Sequence, residues 1–213
     1  MTNNISNEDI LKELFNISIG KASSVLSEII EKKILLNVPN VKILSLEDEK
    51  NKVHFNEYLN NIAYDAVMLS SISFKEKLVG KASLIFPASK MKKFIKLCLH
   101  EISEDQCEDI NFTDIDFDVV KEIGNIILNS VLGEFGNYIN IRLSYTLPEV
   151  KVVDNLDFKC IAENEEYLYI LMLYITFNIE GEAIEGAIII NVTLKSIENI
   201  LEKITMLEDG FNG

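Results

Sequence analysis

Apolar residues near the N-terminus recur with helical spacing. At 100° per residue Leu11, Leu14, Phe15, Ala22, Val25, Leu26 and Ile29 share one broad stripe. They predict an amphipathic helix from Ser6 or Asn7 to about Lys32, with Glu8 and Asp9 in a first turn where acidic side chains suit the macrodipole. Asp9, Glu13 and Asn16 fall on the opposite, outward side, continued by Gly20, Ser23 and Ser27 as a row of small side chains open to another protein's surface. The run "ILLNVPNVKIL" (34–44) reads as a strand. Pro39 inside it removes a ladder donor, so the strand belongs at a sheet edge or carries a bulge there. The polar stretch 47–61 reads as a charged connector. Residues 63–74 and 78–87 read as strands joined by a polar turn, and Ser89 as the cap of a helix over 90–102.

The same succession then repeats. An acidic seam at 103–114 precedes a helix from Asp114 to Gly136 with Thr113 as its cap. Its apolar side carries Val119, Val120, Ile123, Ile126, Ile127 and Val131, and its outward side carries Asp118, Glu122, Asn125 and Asn129. The stretch 138–153 reads as a strand containing Pro148, 165–192 as a long hairpin, and 194–204 as a last helix capped by Thr193, with a disordered tail. Tyr167–Phe177 is too short to span a bilayer as a helix, and its β-branched and aromatic content reads as a buried strand. Each half is helix–strand–strand–strand–helix. The predicted fold is α+β: one internally duplicated α/β sandwich over 1–213 with pseudo-two-fold symmetry, its repeats at about 6–102 and 114–206.

Composition narrows the function classes. The chain has 213 residues, a net charge of −14 and one arginine, Arg142. That surface repels phosphate backbones, which argues against a nucleic-acid partner. No secretory signal is visible, so a cytoplasmic protein with no membrane partner is expected. Cys98, Cys107 and Cys160 are odd in number and widely spaced, reading as reduced thiols, and His54 and His100 are isolated, so no metal site is expected.

What remains is one pattern occurring twice: Asp9-x3-Glu13-x2-Asn16-x22-Pro39 and Asp118-x3-Glu122-x2-Asn125-x22-Pro148, offset by 109 residues without an insertion. One Glu-x-x-Asn alone is better read as a solvated helix face; two copies at matched spacing reverse that preference. An exposed carboxylate and carboxamide one turn apart come with no nucleophile, metal or phosphate loop. They can orient a water and pair with a partner's cation, half an active site that becomes useful when the partner brings the electrophile.

The duplicated pattern resembles the CheC family of chemotaxis phosphatases, relatives of CheX and of the N-terminal part of the flagellar switch phosphatase FliY. "NISIGKASSVLSEII" is similar to that family's "NIGAGNAATALSELL" helix in Asn16, Ile17, Gly20, Ala22, Leu26, Ser27 and Glu28. The resemblance implies dephosphorylation of the aspartyl-phosphate of a CheY-type response regulator. Glu13 and Glu122 would engage the receiver's lysine, and Asn16 and Asn125 would orient the hydrolytic water. Asp9 and Asp118 would support the helix or the docking, and Pro39 and Pro148 would shape the adjoining strand. No cofactor of its own is implied, Mg²⁺ residing on the receiver. The receptor deamidase CheD is a further implied partner, and the protein is expected to be a monomer or to form a hetero-complex. The competing readings are a non-catalytic adaptor for receivers or CheD, and a flagellar switch component, which in relatives uses an appended C-terminal domain not expected here. Phe15 stands where the family commonly has a glycine, a position Gly124 keeps. Leu132 and Gly136 replace Ser23 and Ser27, so the two sites are expected to be unequal, with the second ranked higher.

Overall fold

The two predicted halves share one sheet. The computed structural model describes residues 6–62, 66–99, 111–154, 166–179 and 181–211. Its elements are α1 (Asn7–Ile30), β1 (Ile34–Ser45), α2 (Glu49–Ile62), β2 (Ala66–Glu76), β3 (Gly80–Pro87), α3 (Ala88–Cys98), α4 (Asp114–Tyr138), β4 (Leu143–Tyr145), β5 (Glu149–Asp154), β6 (Tyr167–Ile179), β7 (Glu182–Thr193) and α5 (Leu194–Phe211). The sheet is antiparallel, in the order β1-β6-β7-β3-β2-β4, with β5 also paired to β2. The first strand of each half therefore pairs with the hairpin of the other: β1 with β6, and β4 and β5 with β2.

Both prolines lie on sheet edges where the register shifts, Pro39 inside β1 and Pro148 in the break between β4 and β5, so the stretch 138–153 is two short strands rather than the one expected. Pairing of β1 with β6 shifts register between Asn37 and Asn40. On the other edge Tyr145 pairs with Phe74 but Glu149 with Ser71, so the chain around Pro148 carries the same extra residue. The extra residue changes the parity of burial. Ile34, Leu36 and Val38 face the main core before the bulge, and Val41 faces it afterwards.

Helices α1, α3, α4 and α5 cover one face of the sheet, and α2 lies on the other. The two motif helices pack against each other: Phe15 meets Phe135 at 5.0 Å between ring centroids, and Lys21 pairs with Glu134 at 2.6 Å. Phe15 thus fills the core. Caps hold both motif helices at their starts, at the position predicted for the first and on the residue predicted for the second. Ser6 and Asp9 form a capping box on α1, and Thr113 and Asp116 form one on α4. Thr193 caps α5 by accepting from the Ser196 N–H at 3.3 Å.

Several expectations are corrected. The polar segment 47–61 is not a connector but belongs to helix α2. Its few apolar residues are well spaced, with Phe55 and Leu59 at i and i+4 both buried against the second face. Helix α3 starts after Pro87 with no side-chain cap, so Ser89 is not its cap. The last helix continues to Phe211, through most of the segment expected to be disordered. On α1, Val25 and Ile29 are exposed and Ile19 and Ile30 are buried instead, because this helix is covered on two sides. Residues 103–110 of the seam, Cys107, Cys160 and His100 lie outside the described residues. Burial pushes the Cys98 thiol up to about 12, which keeps it protonated. Among the described residues no helix is long and apolar enough to cross a membrane.

The lysine-rich start of α3 has a structural use. Lys92 donates to Asp116 Oδ2 at 2.6 Å and lies 5.4 Å from the Phe112 ring centroid, tying α3 to the start of α4. Burial raises the Asp116 carboxyl, but hydrogen bonds from Lys92 and Thr113 outweigh it and hold the group below the ordinary 3.8. A depressed carboxylate stabilises the fold above its unfolded pKa, and that contribution disappears as pH falls through the folded value. Asp116→Asn should cost about 1–3 kcal/mol at neutral pH. It should also flatten the decline in stability below about pH 4. Urea titrations of both proteins across that range measure the two effects.

Candidate functional site

Asp9 and Glu13 lie exposed on the outward face of α1, but Asn16 does not share their freedom. Its Nδ2 donates to the Val38 carbonyl at 2.9 Å and to the Lys12 carbonyl at 2.9 Å, and its Oδ1 accepts from the Val38 N–H at 2.8 Å. The carboxamide thus imitates a neighbouring strand beside the Pro39 bulge. The rest of the stripe does likewise. Ser23 donates to the Ile34 carbonyl at 2.6 Å, Ser27 Oγ accepts from the Ile34 N–H at 3.0 Å, and Glu8 Oε1 accepts from the Ile43 N–H at 3.1 Å. The expected row of small residues open to another protein is therefore occupied by the chain's own strand, and Ser23 is buried. A helical wheel shows which residues share a side, but not that the next strand folds back along it. Gly20 alone of that row faces open space.

The second helix presents the same motif differently. Glu122 is exposed, as is Glu13, and neither forms an ion pair among the described residues. Asn125 is half-buried and makes no bond to a strand. The one side-chain hydrogen bond it makes among the described residues is from Asn129 Nδ2 to Asn125 Oδ1 at 2.6 Å. Leu147, at the position of Val38, is 81% exposed where Val38 is 1% exposed. Pro148 is buried where Pro39 is exposed.

Backbone contacts replace the side-chain ones on this edge. Gly136 stands where Ser27 does, and a Cβ there would approach the Ile141 carbonyl to 2.7 Å. The Ile141 N–H donates directly to the Gly136 carbonyl at 2.8 Å. Gly124 lets α4 lie on β2, since a Cβ would come within 2.1 Å of Ser70 Oγ. At the matching position of the first half stands Phe15, buried against Phe135 of α4. The family-like glycine thus sets the height of the helix over the sheet.

The leading aspartates also differ. Asp9 closes the capping box of α1, and hydrogen bonds from the Ser6 hydroxyl and N–H hold its carboxyl below the ordinary range. On α4 that box uses Asp116, leaving Asp118 further into the helix and exposed. Two residues central to this geometry carry no mark in the repeated motif. Val38 holds Asn16 through its backbone, which no side-chain pattern reveals. Asn129 does stand on the predicted outward strip at i+4 from Asn125, and that spacing was the available signal. Among the described residues no group of His, Cys, Asp and Glu is placed to hold a metal ion.

Asn16→Ala leaves the Val38 N–H and carbonyl without their side-chain partner and should cost about 1–3 kcal/mol. Asn125→Ala removes one half-exposed bond and should cost less, about 1 kcal/mol or below. Chemical denaturation of the two variants checks the order. Gly20→Ala adds a Cβ with nothing within 4 Å, so it should stabilise the helix by about 0.5–1 kcal/mol, read as a rise in Tm.

Comparison with known proteins bears on this arrangement. The profile of the CheC-like family matches residues 7–43, which contain α1, the Pro39 bulge and the hydrogen bonds between them. The "CheY-P phosphatase CheC" of Bacillus subtilis (strain 168) is 27% identical over 146 residues, a match covering 68% of this chain and 65% of that protein. The match therefore spans a little under two-thirds of that relative's length. Thermotoga maritima FliY has a TM-score of 0.72 at 18% identity, covering 97% of this chain and 99% of that one. The FliM middle domain from H. pylori has a TM-score of 0.64 at 16% identity, covering 93% and 99%. These two structures establish the shared fold. The motif helix and its strand match the CheC-like family profile, and the chain resembles the CheC relative in sequence and FliY in fold.

Proposed function

We propose that the protein is a phosphatase for the aspartyl-phosphate of a CheY-type receiver, acting with its second motif helix. The observation that carries this reading is the pairing of exposed Glu122 with Asn125, whose Nδ2 has no partner among the described residues. The CheC relative, named as a CheY-P phosphatase, supports the choice of substrate.

The chemistry asked of these residues is modest. The receiver holds the acyl phosphate, with Mg²⁺ and a lysine of its own. A water oxygen forms a bond to phosphorus while the bond from phosphorus to the aspartyl oxygen breaks. Its electron pair leaves on the carboxylate, and the water's proton ends on inorganic phosphate. Glu122 pairs with the receiver's lysine and sets the docking, and Asn125 hydrogen-bonds the attacking water in line. Positioning one water corresponds to roughly a hundredfold in rate for about 2.7 kcal/mol.

The first motif favours a second reading for its own face. Asn16 already spends both amide functions on Val38, so Glu13 there docks a receiver without hydrolysing it. Phosphate release from a phosphorylated CheY-type receiver with Mg²⁺ tests both readings. Wild type should accelerate release, Glu122→Ala/Asn125→Ala should lose at least about tenfold, and Glu13→Ala should retain most of the activity. Binding of the receiver without acceleration would replace the enzyme with an adaptor.

A further inference from the structure

We infer that Asn129 is a positioning residue: it fixes which way round the Asn125 carboxamide meets the attacking water. This rests on the phosphatase reading and deepens it at α4. A carboxamide turns about its last torsion between two arrangements that exchange its donor and its acceptor. A residue that must orient a water needs one of them imposed. Asn16 is fixed by Val38, whose N–H can meet only the amide oxygen and whose carbonyl can meet only the amide nitrogen. Asn125 has no such strand, since Leu147 stands out into solvent. Asn129 supplies the missing constraint, donating from Nδ2 to Asn125 Oδ1 at 2.6 Å across one helical turn. One lone pair of Oδ1 and both Nδ2 hydrogens of Asn125 remain for the water and the receiver.

Two further observations separate this role from a purely structural one. The position corresponding to Asn129 in the first half is Gly20, where a Cβ would meet nothing within 4 Å. Space for a side chain exists there, yet no donor stands beside the strand-held Asn16. Asn129 also gains little for the fold. Its Oδ1 is buried without a partner among the described residues, and asparagine is a poor residue for a helix interior. An alanine at this site would fold at least as well, so what the asparagine contributes is the hydrogen bond to Asn125.

The test uses Glu13→Ala as parent, which silences the first face without disturbing the Asn16 bonds to β1. On that background Asn129→Ala should lower kcat for phosphate release about tenfold with KM for the phosphorylated receiver held within about twofold. Asn129→Asp can only accept from Asn125, so it turns the amide round and should fall at least as far. Asn129→Gln keeps the donor and should recover most of the rate. A loss carried by KM or tracking Tm, or equal behaviour of all three variants, overturns the inference. The side-chain ¹⁵N heteronuclear NOE of Asn125 reads the same constraint without turnover. It should drop in Asn129→Ala, and an unchanged value overturns the inference whether or not the protein is a phosphatase. A parent that fails to accelerate phosphate release while that NOE does drop overturns the phosphatase reading and leaves the constraint on Asn125 standing.

Discussion

The outward N–H and carbonyl groups of the edge strand β1 need partners, and α1 supplies them from its side chains. Glu8, Asn16, Ser23 and Ser27 follow the strand from Ile43 through Val38 to Ile34. An uncovered edge would offer a template for another strand, and an unpaired buried amide would cost about 1–3 kcal/mol. Much of the first half follows from this one contact. It places the Pro39 bulge beside Asn16, orients the exposed Glu13, and explains why a helix with polar residues on several sides is nevertheless fixed in rotation. The family profile ends at Ile43, where the last of these hydrogen bonds is made.

The opposite edge meets the same requirement with other means, and the difference sets the two motifs apart. Gly136 brings the backbone of α4 against Ile141, Thr146 exchanges hydrogen bonds with Ser73 of β2, and Leu147 is turned outward. Asn125 is thereby released from structural duty. One copy of a repeated motif has become part of the frame, while the other keeps its functional groups uncommitted. Since α1 and α4 pack against each other through Phe15 and Phe135, a change in the height of one helix is felt by the other.

Much of the architecture was legible in the residues. Capping at Thr113 and Thr193, and a helix start near Ser6, followed from short polar side chains before apolar runs. Pro39 and Pro148 signalled bulged edge strands because proline cannot donate to a ladder. Helix α2 leaves little periodicity in the sequence, because it is a polar stretch with one apolar turn, and Phe55 and Leu59 are the buried residues among those described. The row Gly20, Ser23 and Ser27 was placed on the correct side of the helix but assigned to another molecule's surface. The hydroxyls were in fact meeting the backbone of β1.

The sequence by itself determined which residues could carry chemistry and that they occur twice, because side-chain type and helical spacing are local properties written in the chain. It also carries the likeness to the CheC-like family, through α1 and its strand. Only the tertiary structure decided which asparagine is tied to a strand and which is not. That choice depends on whether Val38 or Leu147 turns its backbone toward the neighbouring asparagine, a question of strand path and packing that no residue pattern encodes. It likewise decided that the halves exchange their first strands, since β1 and β6 meet across more than a hundred residues of chain, and such pairing follows from the whole core rather than from either segment.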